Sequence, residues 1–162
     1  MATNDAKIAT RDTGPATEVA ALWATRKALS PALRNVAPKK INEDVVVPVS
    51  RLAELTDLLD QLALAHQVRI VSFGHAGNGN LHVNVLGEDA DLERMQACVD
   101  EVFRAVLALG GTLSGEHGVG RSKRAFVGLE LDRETLAVMQ AVKRTFDPDG
   151  ILNPGKTLPD PA

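Results

Sequence analysis

Apolar residues recur at the three- and four-residue steps of a helix in several parts of the chain. Val19, Leu22 and Trp23, with Arg26, predict a helix over 17–29, and Ser30-Pro31 is the expected stop. Leu52, Leu55, Leu58, Leu59 and Leu62 form a second stripe, with Ser50 as its expected cap. Leu92, Met95, Val99, Val102, Phe103 and Val106 form a third, opened by Asp89 or Asp91 and closed by Gly110-Gly111. Asp132 caps a last helix that runs to Phe146.

Between these stretches, Val68 to Phe73 and Leu81 to Leu86 read as strands joined by a Gly-rich connection. Val45-Val46-Val47, closed by Pro48, suits an edge or a strand end, and 38–44 reads as irregular. Residues 1–15 are polar and read as a disordered lead, and 112–126 and 147–156 read as loop and turns. Strands mixed with helices, without regular alternation, predict an α+β fold over residues 16–160.

With 162 residues and 44% hydrophobic content, the chain is long enough for one sizeable core. A net charge of −3 and 3% aromatic residues argue against a nucleic-acid surface. The single Cys98 excludes an internal disulfide framework and sits in an apolar stripe, as an inert small hydrophobe would. No apolar run reaches the ~18 residues of a membrane span, and the N-terminus lacks the apolar core of a signal peptide. The expectation is a soluble cytoplasmic protein.

Chemistry concentrates in two Gly-rich segments. In FGHAGNGNLHVNVL, an Asn78-Gly79 two-residue turn would make His75 and His82 directly opposed partners. Opposed residues on one sheet face have Cβ atoms about 4.5–5.5 Å apart, close enough to share an ion, and Asn84 points the same way. In GGTLSGEHGVG, Glu116 and His117 are adjacent and point apart in extended chain. The natural division is Glu116 as third ligand and His117 turned toward a substrate. Two His and one carboxylate leave an open coordination position, as in catalytic sites, and suit Zn²⁺, Mn²⁺ or Fe²⁺. The bland alternative is a Gly-rich loop with satisfied imidazoles, as for His66 at a helix end. Gly74, Gly77 and Gly79 do not fit a dinucleotide fingerprint, and no H-E-x-x-H is present. The basic run Arg121, Lys123, Arg124 suits either an anion or a solvated helix face.

FGHAGNGNLHVNVL, GGTLSGEHGVGRSKRAFV and FDPDGILNPGK, in that order, resemble the C-terminal domain of the FAD-linked oxidases. That family includes the flavin subunit of glycolate oxidase, D-lactate dehydrogenases and D-2-hydroxyglutarate dehydrogenase. The resemblance runs from about Trp23 to Lys156. It implies a ferredoxin-like α+β domain, an antiparallel sheet with packed helices, beside an FAD-binding domain. It also implies a divalent metal on His75, His82 and Glu116, with zinc favoured over manganese or iron. Arg26, Ser30 and Asn84 are then substrate contacts, His117 the catalytic base, and Asn153 and Lys156 cofactor contacts. A Lys used by the hydroxyglutarate enzymes falls near Asn42, which is not Lys, and with Lys39 and Lys40 close by in sequence the departure leaves the identity of the hydroxy acid open. The first Asn of H-A-G-N-G-N stands where the family often has Asp.

In a complete enzyme, the resemblance implies oxidation of a small 2-hydroxy acid to a 2-oxo acid by hydride transfer to FAD. No flavin-binding segment fits in the 22 residues before Trp23, so the expectation is a chain inactive alone. The flavin-binding domain or subunit is then its partner, and the exposed interface favours self-association. Rival readings are a metal- and anion-binding module without catalysis, and a hydrolase using the His₂Glu set.

Overall fold

The computed structural model describes residues 16–160, so the expected lead over 1–15 lies outside the described residues. Two compact units divide after Val36. The N-terminal unit carries α1 (Ala16–Ala32) and a 3-10 turn at Leu33–Asn35. Helix α1 runs through Pro31, where a stop was expected. A proline in the last turn removes one hydrogen bond without ending the helix, and the chain tightens only beyond it.

The second unit is built on a three-stranded antiparallel sheet of β1 (Lys39–Val46), β2 (Arg69–His75) and β3 (Asn80–Gly87), ordered β1-β3-β2. Helix α2 (Leu52–Ala65) follows β1, and α3 (Leu92–Ala108) follows β3. Beyond α3, Thr112 exchanges two backbone hydrogen bonds with Val46 on the free side of β1. The result is a split β-α-β, then β-α, with the last strand reduced to one bridge. The expected ferredoxin-like α+β plan is present in this form. Two short helices finish the unit: α4 (Val127–Glu130) and α5 (Arg133–Phe146), the latter capped by Asp132 accepting from Thr135 N at 2.7 Å.

Strand β1 begins six residues earlier than its β-branched run, and 39–44 is paired rather than irregular. The ladder with β3 imposes the extended state on a polar segment that has little preference for it. Ser50 lies in a 3-10 turn and caps nothing, because α2 starts two residues later, at Leu52.

One sheet face packs Val45, Leu81, Val83 and Val85 against Leu55 and Leu59 of α2 and Met95, Cys98, Val99, Val102, Phe103 and Val106 of α3. Burial pushes the Cys98 thiol up to about 11, which keeps it protonated and inert. His66, at the end of α2, reaches Glu101 of α3 at 3.2 Å. The opposite sheet face carries Asn42, Asp44, His82 and Asn84, with Phe73 beside His82.

The β2–β3 hairpin differs from the expected two-residue turn. Its connection is a 3-10 turn at Ala76–Asn78 followed by Gly79 at φ +78°. A Cβ on Gly79 would lie 1.9 Å from the Val47 carbonyl oxygen, whose own N–H donates to Gly79 O. Only glycine fits there. His75 accordingly faces Asn80 and His82 faces Phe73, a register two residues away from direct opposition. Side chains alternate with period two, so the shift leaves both imidazoles on one face as diagonal neighbours.

Candidate metal and substrate site

Strand pairing sets the floor of the site. Asn42 faces Asn84 and Asp44 faces His82 across β1 and β3, on the face turned away from α2 and α3. The His75 and His82 rings stand edge to face, 5.8 Å apart. The loop after Thr112 then crosses this face and delivers Glu116. Its Oε1 lies 3.2 Å from His82 Nε2 and 3.9 Å from His75 Nε2. One ligand atom from each of His75, His82 and Glu116 falls within 4.8 Å of the others. The donor set is two imidazole nitrogens and one carboxylate oxygen, which fits a borderline divalent cation.

His117 lies on the same side. Its ring stacks on that of His82, with centroids 5.2 Å apart and planes 17° from parallel. Residues 115–117 form a bend rather than extended chain, so Glu116 and His117, expected to point apart, both reach His82. Glu116 N and His117 N both donate to Asp44 Oδ2, at 2.6 and 2.9 Å.

Burial alone would raise the Asp44 carboxyl, but these two donors, with the charges of His117 and Lys123, outweigh it and hold it below its usual range. Burial pushes the His82 imidazole down, against the pull of Asp44 and Glu116, which favours its neutral form. Asn84 is fully buried. Its amide donates to Val71 O and His82 O at 3.0 and 3.2 Å, leaving Oδ1 without a partner.

Gly115 permits this close approach. A Cβ there would meet Asn80 Nδ2 at 2.5 Å, Val46 Cγ2 at 2.8 Å and Asp44 Oδ1 at 3.0 Å. Gly115→Ala therefore lifts the loop. Overpacking of this kind lowers stability by about 1–3 kcal/mol. Hydrogen exchange at the Glu116 and His117 amides should quicken at the same time; unchanged exchange and melting would contradict this account.

The remaining candidates fall in other segments of the chain. Arg26 and Ser30 sit one turn apart on α1 of the N-terminal unit, with the Arg26 guanidinium 5.6 Å from the centre of the Trp23 ring. Lys156 Nζ donates to Asn153 Oδ1 at 3.1 Å, and Thr157 N donates to Gly120 O at 2.7 Å, so the closing segment is tied to the loop that bears Glu116.

Two residues escaped the sequence reading. Asp44 precedes the Val run and reads there as an ordinary polar position. Lys123 is not part of a solvated face. It is 4% exposed, and its amino group donates to Asp44 O and Leu113 O at 2.9 and 2.6 Å. It also lies 3.4 Å from buried Glu43. Its neighbour Arg124 donates to Leu158 O at 2.6 Å. These two side chains hold the loop in place.

Residues 2–157 match the family model described as FAD linked oxidases, C-terminal domain. The chain is 38% identical over 143 residues to glycolate oxidase subunit GlcD of Bacillus subtilis, covering 86% of this chain and 30% of that protein. It is 36% identical over 138 residues to D-lactate dehydrogenase of Anaerostipes hadrus, covering 83% and 29%. It is 33% identical over 145 residues to the mitochondrial D-2-hydroxyglutarate dehydrogenase of Danio rerio, covering 90% and 27%. The chain thus spans less than a third of the length of these relatives. Among the described residues, no helix is long and apolar enough to cross a membrane.

Proposed function

This chain belongs to the C-terminal domain family of the FAD-linked oxidases, and from that premise we propose that it is the substrate- and metal-binding domain of a flavin-dependent 2-hydroxyacid dehydrogenase. Family membership implies FAD and an FAD-binding partner domain. The convergence of His75, His82 and Glu116, with the His117 ring stacked on that of His82, carries the reading. Relatives named for glycolate, D-lactate and D-2-hydroxyglutarate support a 2-hydroxy carboxylate as substrate.

His75 Nε2, His82 Nε2 and a Glu116 oxygen hold a divalent cation. When bound, that cation supplies Lewis acidity toward the substrate hydroxyl, and FAD supplies the hydride acceptor. Arg26, with Ser30 beside it, binds the substrate carboxylate, preferably through two parallel N–H donors. Asn84, on the same sheet face as His82, is assigned to the substrate side of the site. His117 takes the hydroxyl proton on an imidazole nitrogen, an effect worth about 10²–10⁴-fold in rate. Asn153 and Lys156 would be this chain's contacts to the flavin. The acid is of the glycolate or D-lactate type, for which two of these relatives are named.

Val138, Val142 and Phe146 are exposed along one face of α5, with Ile151 and Leu152 exposed just beyond it. We assign this face to the FAD-binding domain; copies of the chain pair through it when that domain is missing.

Elemental analysis of protein purified without chelator tests the reading first, and about one divalent ion per chain is the expected result. Mixing with the FAD-binding domain, glycolate or D-lactate and a dye acceptor then gives dye reduction. Metal retained with no dye reduction by any 2-hydroxy acid would overturn the redox assignment.

A further inference from the structure

We propose that Asp44 is the positioning residue of this centre: one carboxylate oxygen fixes the proton of His82 on Nδ1, and the other fixes the backbone that presents Glu116 and His117. The inference rests on the metal reading above and adds a residue to it.

Asp44 is fully buried, and its two oxygens have different surroundings. Oδ2 accepts both loop N–H groups. Oδ1 has no hydrogen-bond partner, and neither does His82 Nδ1. Both atoms are buried and lie 3.8 Å apart, beyond hydrogen-bond length but facing each other across directly paired strand positions. Two orphan polar atoms so placed call for an explanation, since such groups are seldom left unpaired.

An ionised carboxylate can only accept, so Asp44 favours the His82 tautomer that carries its proton on Nδ1. The lone pair then sits on Nε2, the atom that faces Glu116. Carboxylates in this position beside metal-bound histidines orient the ring and raise its basicity. One strand residue thereby joins the sheet-borne ligand to the loop-borne one. Lys123 does not compete for this carboxylate, because its amino group is directed to the Asp44 carbonyl, the Leu113 carbonyl and Glu43.

Asp44→Asn separates the two roles. The loop N–H groups require an oxygen at the Oδ2 position, which turns the new amide nitrogen toward His82 Nδ1. A donor there favours the Nε2–H tautomer, whose ligating nitrogen is blocked. In calorimetric titration with Zn²⁺ alone, the variant should bind about 10–100-fold more weakly than wild type. Long-range ¹H–¹⁵N spectra of the metal-free protein should show neutral His82 as Nδ1–H in wild type and as Nε2–H in Asp44→Asn. Merely holding the backbone would leave that signature unchanged. A wild-type spectrum with His82 as Nε2–H overturns the proposal even if the variant fails to fold, and so does equal Zn²⁺ affinity in a folded variant. If wild type binds no Zn²⁺ while the tautomer still follows Asp44, the metal reading fails and the Asp44–His82 coupling stands.

Discussion

His82→Ala lowers the affinity of the protein for Zn²⁺ by more than about a hundredfold, beyond the 10–100-fold typical of losing a supporting residue. His82 is placed to act as the central ligand. Its Nε2 lies 3.2 Å from Glu116, its ring contacts those of His75 and His117, and its strand position is fixed by pairing on both sides. With it gone, one imidazole and one carboxylate of the set remain, too few to retain a borderline cation against water. His66→Ala is the matched control, since its ring pairs with Glu101 between α2 and α3 and should leave titration unchanged. Calorimetry on both variants, with circular dichroism to verify folding, decides the matter. Equal affinity in His82→Ala would remove the metal from this site.

Lys123→Met produces the largest loss of stability. It strips a buried cation from Glu43 and leaves the Asp44 and Leu113 carbonyls without their donor. Removing one partner of a buried pair costs about 3–5 kcal/mol, because the remaining charge is stranded. Chemical denaturation reads this directly, and a change below about 1 kcal/mol would show that the pair is not effectively buried.

The pH dependence has a definite sign. Burial raises the Glu43 carboxyl above its ordinary value of 4.5, and Lys123 pulls it partly back. A group that holds its proton more tightly when folded makes stability fall as pH rises from its unfolded value through its folded one. Without Lys123 the folded value rises further, so the variant should lose stability over a wider span above pH 4.5 than wild type does. A double variant, Glu43→Gln with Lys123→Met, should lose that slope.

The same residues mark where sequence reading reaches its limit. Helices α2, α3 and α5 were legible because their apolar spacing or caps are local, and the Leu and Val stripes of α2 and α3 do form the core. The first half of β1 was not legible. Its extended state comes from β3, and its two buried acids are satisfied from the distant loop, Glu43 by Lys123 and Asp44 by the N–H groups of Glu116 and His117, 72 and 73 residues on. The grouping of His75, His82 and Glu116 could be read because face parity depends only on odd and even positions. A hairpin register wrong by two residues therefore kept the imidazoles together. Asp44 could not be found that way, since which strand lies beside β3, and in which register, is a tertiary fact.

That dependence on distant partners also sets the order in which the centre can be assembled. His75 and His82 come together when one local hairpin zips, a microsecond event. The clamp on Glu116 closes a span of 72 residues and must wait for α3 to dock and for Thr112 to reach Val46. The seat for the ion is thus finished last, and uptake of a cation during refolding would time the closing step of folding rather than its beginning.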